Sequence, residues 1–273
     1  MAEARSSLID RVEVLDPRGG RAVPVWLHRP AGLAADARVV IVMHGMSRNA
    51  EAYLEAWVPE AERRGFVVAA PEFDARSYPT AREYNEGDVL TEAGALRPRA
   101  EWLFPVVDRI FERVREAAGL AAESYCLYGH SAGAQLVHRL VTLAWSPRIE
   151  LAISANAGAY CMPRLDVAYP FGLGGTGFEE SDLPALLARQ LVVLLGSGDT
   201  DPAHPALPRN PAALEQGEHR YARGQAYLAA GREAARALGV ECRWRLEIAP
   251  GVGHVHAAMA PFAARLCGEP RGG

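Results

Sequence analysis

The sequence has no lysine: all 29 of its basic residues are arginine. That excludes a lysine nucleophile, Schiff-base chemistry and the lysine of a phosphate-binding P-loop. Nor is there a basic surplus. Against those 29 stand 33 acidic residues, a net charge of -4, so nothing is in excess to neutralise a phosphate backbone and no nucleic-acid partner is expected. Cysteine is scarce, with only Cys126, Cys161, Cys242 and Cys267, widely spread and without a C-x-x-C pair. They read as free thiols, and Cys126, inside an apolar strand pattern, reads as core filler. Long apolar runs are also missing. None approaches the ~18 residues that span a membrane, and the opening stretch MAEARSSLIDRVEVLD lacks the apolar core of a secretory signal. The expectation is a cytoplasmic protein with no membrane partner.

What is present is ordinary globular material, 49% hydrophobic and 23% charged over 273 residues. That length suits one large α/β domain over 1–273. Apolar runs at 9–15, 23–28, 39–43, 66–70, 125–128, 151–154, 191–195 and 244–248 read as strands. The first two look like an antiparallel lead-in. Most of the others are continuously apolar, as in strands covered on both faces, whereas 244–248 alternates and suits a sheet edge. Between them, 50–64, 101–118, 132–144, 218–238 and 257–266 read as helices. This alternation predicts a doubly wound, mostly parallel sheet of about eight strands with helices on both faces. Two stretches break the rhythm, from about 72 to 99 and from 156 to 190. Both follow strand ends, where open α/β sheets bind ligands, so their aromatics are candidate cleft walls or anchors of long loops. The second is short enough to make only a minimal lid.

The chemistry-bearing motif is Gly129-His130-Ser131-Ala132-Gly133, a G-x-S-x-G run. An apolar strand leads into it and a helical run follows, the context in which this motif holds a serine on a tight, strained turn. A Cβ at either glycine would collide with the neighbouring strand or helix. A serine hydroxyl needs a base, and the base needs an orienting carboxylate. Asp199 follows the strand 191–195, with Asp201 as the alternative. His254 lies in a glycine-rich loop past the last strand, with His256 as the alternative. His130 reads as a packing residue and His138 as structural.

These residues resemble the α/β-hydrolase superfamily. The resemblance rests on Gly129–Gly133, on Met43-His44-Gly45-Met46 at a strand end, on Gly196-Ser197-Gly198-Asp199 and on Gly253-His254, and it runs from about residue 23 to 266. The run His44-Gly45-Met46-Ser47-Arg48-Asn49-Ala50 and the aromatic loops narrow it to the compact branch of polyhydroxybutyrate depolymerases and feruloyl esterases. The resemblance implies a catalytic triad of Ser131, Asp199 and His254. It implies an oxyanion hole made by the backbone N–H groups of Met46 and Ala132. His44, Arg48, Phe73, Tyr84 and Tyr160 are the candidate substrate contacts, Arg48 through its planar fork or else as a salt bridge or helix cap.

Two patterns are set aside. Gly172-Leu173-Gly174-Gly175-Thr176-Gly177 fits the dinucleotide fingerprint, but no convincing strand precedes it and it lies late in the chain. His254 and His256 form an H-x-H pair with no third ligand at a recognisable spacing. No cofactor and no metal is expected. The predicted activity is a serine hydrolase cleaving short-chain or aromatic carboxylic esters, small-molecule substrates held in an open or half-open cleft. The alternatives are an amidase or thioesterase using the same triad, or a non-catalytic binding protein on this scaffold. A candidate for every catalytic role, in chain order, favours the enzyme.

Overall fold

The computed structural model describes residues 8–16 and 18–269. Residues 1–7 of the stretch read for a signal segment lie outside them. Eight strands form one sheet: β1 (Leu8–Asp16), β2 (Arg21–Arg29), β3 (Val39–Met43), β4 (Val67–Pro71), β5 (Tyr125–His130), β6 (Ile149–Ala155), β7 (Leu191–Gly196) and β8 (Arg245–Ala249). Their order is β1-β2-β4-β3-β5-β6-β7-β8. β1 pairs antiparallel with β2, and β2 antiparallel with β4; every pairing from β4 to β8 is parallel. β8, the alternating strand, is an edge.

The inner strands are buried on both faces, and their side chains alternate between two cores. Val40, Val42, Val68, Tyr128, Ile153, Val192 and Leu194 pack with α1 (Ala50–Arg64) and α7 (His256–Cys267). Val39, Ile41, Val67, Leu127, Ala152, Val193 and Leu195 pack with α2 (Val106–Ala118), α3 (Ala132–Leu143) and α6 (Arg220–Leu238). Helices therefore cover both sides of the sheet.

α2 begins at Val106, five residues later than the periodicity suggests. Pro105 occupies its N-cap, and the residue before a proline avoids the helical region, so the helix starts there. Two short helices escape the apolar pattern, α4 (Leu183–Leu187) and α5 (Pro211–Leu214), each with a proline in its first turn. No strand precedes Gly172–Gly177, which forms a looped segment whose one isolated bridge joins Ala168 to Gly174.

The contact that shapes the catalytic end lies between α3 and the strands. A Cβ on Gly133 would sit 2.2 Å from the Met43 carbonyl oxygen, and one on Gly129 would sit 2.3 Å from the Gly133 carbonyl oxygen. Neither position accepts alanine without moving a helix off a strand. Gly133→Ala is expected to destabilise the fold by about 3 kcal/mol, read as a lower urea midpoint. An unchanged midpoint would contradict this packing.

Candidate active site

Ser131 sits where β5 turns into α3. Its backbone is at φ 59 and ψ −115, a region L-residues avoid, and its N–H donates to the Ala155 carbonyl on the adjacent β6 at 3.0 Å. The chain is pinned on both sides of the turn, and the half-buried hydroxyl is left at the carboxyl end of the sheet.

The loops after β6, β7 and β8 are stitched together. Ser197 N–H donates to Ala249 O at 3.1 Å, Gly198 N–H to Val252 O at 2.9 Å, and Gly251 N–H to Ser197 Oγ at 2.7 Å. Asn156, at φ 50 just past β6, joins all three: its Oδ1 accepts from Gly196 N–H at 2.8 Å and its Nδ2 donates to Gly253 O at 3.3 Å. This stitching brings Asp199 and His254 together. His254 Nδ1 lies 2.7 Å from Asp199 Oδ2, and His254 Nε2 lies 3.0 Å from Ser131 Oγ. Asp201, by contrast, is exposed and accepts from Ala203 N–H, and His256 stacks on Tyr53 with ring centroids 4.1 Å apart.

Asp199 is almost fully buried, and its second oxygen faces the equally buried Arg220 at 3.5 Å. Burial pulls the Arg220 guanidinium below its usual range, and the Asp199 charge works against that pull. Arg220 Nη2 also donates to His204 Nδ1 at 3.2 Å, and the His204 ring meets the His254 ring edge-on at 5.2 Å. Behind His254 lies His130, buried, its Nδ1 2.9 Å from the Tyr53 hydroxyl. Burial, and then the neighbouring His254, hold the His130 imidazole well below the ordinary histidine range. His138 is structural in the same way, its Nδ1 donating to Ala134 O and its Nε2 accepting from Cys161 N–H.

The loop after β3 passes beside the serine: a Cβ on Gly45 would lie 3.6 Å from Ser131 Cβ. The next residue, Met46, is 47% exposed. Neither Met46 N–H nor Ala132 N–H meets a protein acceptor among the described residues. Ala132 opens α3, where first-turn N–H groups have no intrahelical partner. Two backbone donors are thus free in the residues next to Gly45 and Ser131.

The candidate substrate contacts need correction. His44, Phe73, Tyr84 and Tyr160 are fully buried and build the loops instead of lining a cleft. His44 Nδ1 donates to Gly45 O at 2.9 Å and its Nε2 accepts from Phe73 N–H at 3.0 Å. Tyr84 donates to His44 O at 2.7 Å and stacks on the His44 ring. Arg48 spends its fork on the Phe73 and Tyr78 carbonyls, at 2.7 and 2.9 Å, while lying over the Tyr84 ring. It therefore anchors the start of the 72–99 excursion. Tyr160 stacks on Tyr227. Long excursions need small cores of their own, and these aromatics supply them. Among the described residues no group of His, Cys, Asp and Glu could hold a metal ion, and no helix is long and apolar enough to cross a membrane. All four cysteines are free.

No family model and no curated protein matches the chain. Solved structures do. A poly(aspartic acid) hydrolase-1 from Sphingomonas sp. KT-1 superposes with a TM-score of 0.92 at 38% identity, over 96% of this chain and 98% of that one. This chain belongs to the α/β-hydrolase superfamily, in its polyhydroxybutyrate depolymerase-like branch. A poly(3-hydroxybutyrate) depolymerase from Bordetella parapertussis matches at 0.90 and 36% identity, over 95% and 89% of the two chains. An S-formylglutathione hydrolase from Staphylococcus aureus, 13% identical over 95% and 97%, shares the fold at 0.59. The hydrolase is thus an enzyme of the serine type, and the reading as a non-catalytic binder gives way.

The buried His44 predicts a pH dependence of stability. Burial pushes its imidazole down from 6.5 to about 4, so it stays neutral in the fold while the unfolded chain takes up a proton. Its contribution is intact above pH 6.5 and is lost as pH falls to about 4, a loss of about 3 kcal/mol. Urea unfolding across that range should show a shallower decline for His44→Gln than for the parent. Equal declines would contradict a buried neutral His44.

Proposed function

We propose that this hydrolase cleaves short-chain carboxylic esters through an acyl-enzyme on Ser131. The observation that carries the reading is one imidazole bridging two partners, His254 at 3.0 Å from Ser131 Oγ and at 2.7 Å from Asp199 Oδ2. With its Nδ1 proton donated to Asp199, His254 presents a bare Nε2 to the serine hydroxyl. Ser131 Oγ attacks the acyl carbon while its proton passes to Nε2. The imidazolium that forms is stabilised by the Asp199 carboxylate. The tetrahedral oxyanion takes hydrogen bonds from Met46 and Ala132 N–H, each such donor being worth about 3 kcal/mol at the transition state. His254 returns the proton to the leaving alkoxide, and an alcohol departs. Water then repeats the cycle in reverse roles and releases the carboxylic acid.

Arg220 is a positioning residue in this scheme. It occupies one oxygen of Asp199, leaving the other for His254. The 156–190 excursion does not seal the site, since Ser131 and His254 keep partial access to solvent, the His254 side chain at 15%, and Val255 next to it is 54% exposed. A site this open suits short acyl chains. The aromatic part of the expected specificity loses the support of Phe73, Tyr84 and Tyr160, which are buried. An amide is the second reading, supported by the relative named a poly(aspartic acid) hydrolase; an amide of the same acyl group would engage the same three residues.

The test is a series of 4-nitrophenyl esters of rising acyl length. Activity should be greatest at short chains, and a preference for acyl groups beyond about ten carbons would contradict the open-site reading. Ser131→Ala should lower kcat by about 10⁴-fold or more, and Asp199→Asn by about 10⁴-fold through the wrong imidazole tautomer. Asp199→Asn retaining near-parental kcat would remove Asp199 from the triad.

A further inference from the structure

One turn after the nucleophile, Gln135 N–H donates to the Ser131 carbonyl at 3.1 Å. Gln135 therefore stands one helical turn on from the nucleophile, a rise of about 6 Å along α3. A short acyl chain covers that span. The oxygen end of the carboxamide is occupied. Asn85 Nδ2 and Arg139 Nη1 both donate to Oε1, each at 3.2 Å. Two donors on the oxygen settle which end of the amide is which, and the Nε2 hydrogens point the other way. Nε2 meets no protein acceptor among the described residues, and the side chain is half-buried. Across from it lies Gly158, where a Cβ would stand 3.2 Å from Nε2 and 3.2 Å from Pro208 Cδ. Glycine there leaves the amide room.

Arg139 is the second observation. It is 1% exposed, and its guanidinium donates only to the Asn85, Gln135 and Pro170 carbonyls and to Gln135 Oε1. No carboxylate lies within ion-pair distance of it among the described residues. A buried cation without a counter-ion is costly. Part of that charge bears on the Gln135 side-chain amide through Oε1, and it makes the Nε2–H groups stronger donors.

The geometry points to Gln135 as a substrate-binding residue whose Nε2 donates to a second oxygen on the acyl group, beyond the scissile carbonyl. The hydrolase therefore favours acyl groups that carry a further carbonyl or carboxylate oxygen. This rests on the acyl-enzyme reading above.

Three 4-nitrophenyl esters of similar length test it on the full chain: the pentanoate, the 4-oxopentanoate and the hemisuccinate. Each kcat/KM is divided by the ester's own hydroxide-catalysed rate, which removes inductive activation. The parent should prefer at least one oxygen-bearing ester over the pentanoate by about ten-fold or more. Preference for the hemisuccinate, weakening with salt, identifies a carboxylate ligand; preference for the 4-oxopentanoate identifies a neutral carbonyl. Gln135→Glu keeps an oxygen for Asn85 and Arg139 but replaces the outward donor with an acceptor. It should bring the selectivity close to one, with the hemisuccinate losing most. Brisk hydrolysis with a parental selectivity near one overturns the inference and needs no variant. The same selectivity in parent and folded Gln135→Glu also overturns it. Failure to hydrolyse any ester would instead remove the acyl-enzyme reading, and this inference with it.

Discussion

The absence of two Cβ atoms lets α3 rest against the ends of β3 and β5. At Gly133 a Cβ would come within 2.2 Å of the Met43 carbonyl oxygen, and at Gly129 within 2.3 Å of the Gly133 carbonyl oxygen. The turn between them has no room to relax, and Ser131 is held at positive φ. Backbone strain of this kind costs on the order of 1–3 kcal/mol and persists only where the surroundings over-determine it. Here they do: the sheet fixes one side of the turn, the helix the other, and the Ala155 carbonyl holds the Ser131 N–H between them. Everything else in the site is arranged around a hydroxyl that cannot move far.

The partners of that hydroxyl come from loops, which by themselves are poor at holding side chains to within an ångström. Asn156 supplies the missing rigidity. Its carboxamide is hydrogen-bonded to the end of β7 and to the loop before α7, so the carboxylate and the imidazole are carried on one stitched surface. Electrostatics work in the same direction. Asp199 is buried, and a buried lone carboxylate would be costly; Arg220 offsets it at 3.5 Å without displacing His254 from the other oxygen. Arg220 is the first residue of α6, a helix end where a cation is ordinarily unfavourable. The Asp199 carboxylate offsets that cost.

Much of this could be read from the residues alone. β3 and α1 keep the bounds their apolar patterns suggest, and the order elbow, acid, histidine is visible once strand ends are located. β5 extends two residues further than its apolar run, because Gly129 and His130 pair with Ser154 and Ala155 on β6. That pairing belongs to the sheet and leaves no trace in periodicity. Asn156 and Arg220 were illegible for a related reason. One acts across three loops that parallel pairing brings side by side, and the other reaches Asp199 from a helix 21 residues away in sequence. An asparagine just past a strand end was the only local signal for the first. The aromatic residues were misleading because exposure cannot be read from residue type in a long loop. Phe73, Tyr78 and Tyr84 lie with ring centroids about 5 Å apart and fill their own excursion.

The claim at the centre of this account is that Ser131 is an activated nucleophile reachable from solvent. Labelling with a fluorophosphonate, read by intact mass and by peptide mapping beside folded Ser131→Ala, tests it most directly. A single adduct on Ser131 of the parent, absent in the variant, is the predicted result. A folded parent that stays unlabelled, or one labelled equally in both proteins, would contradict it.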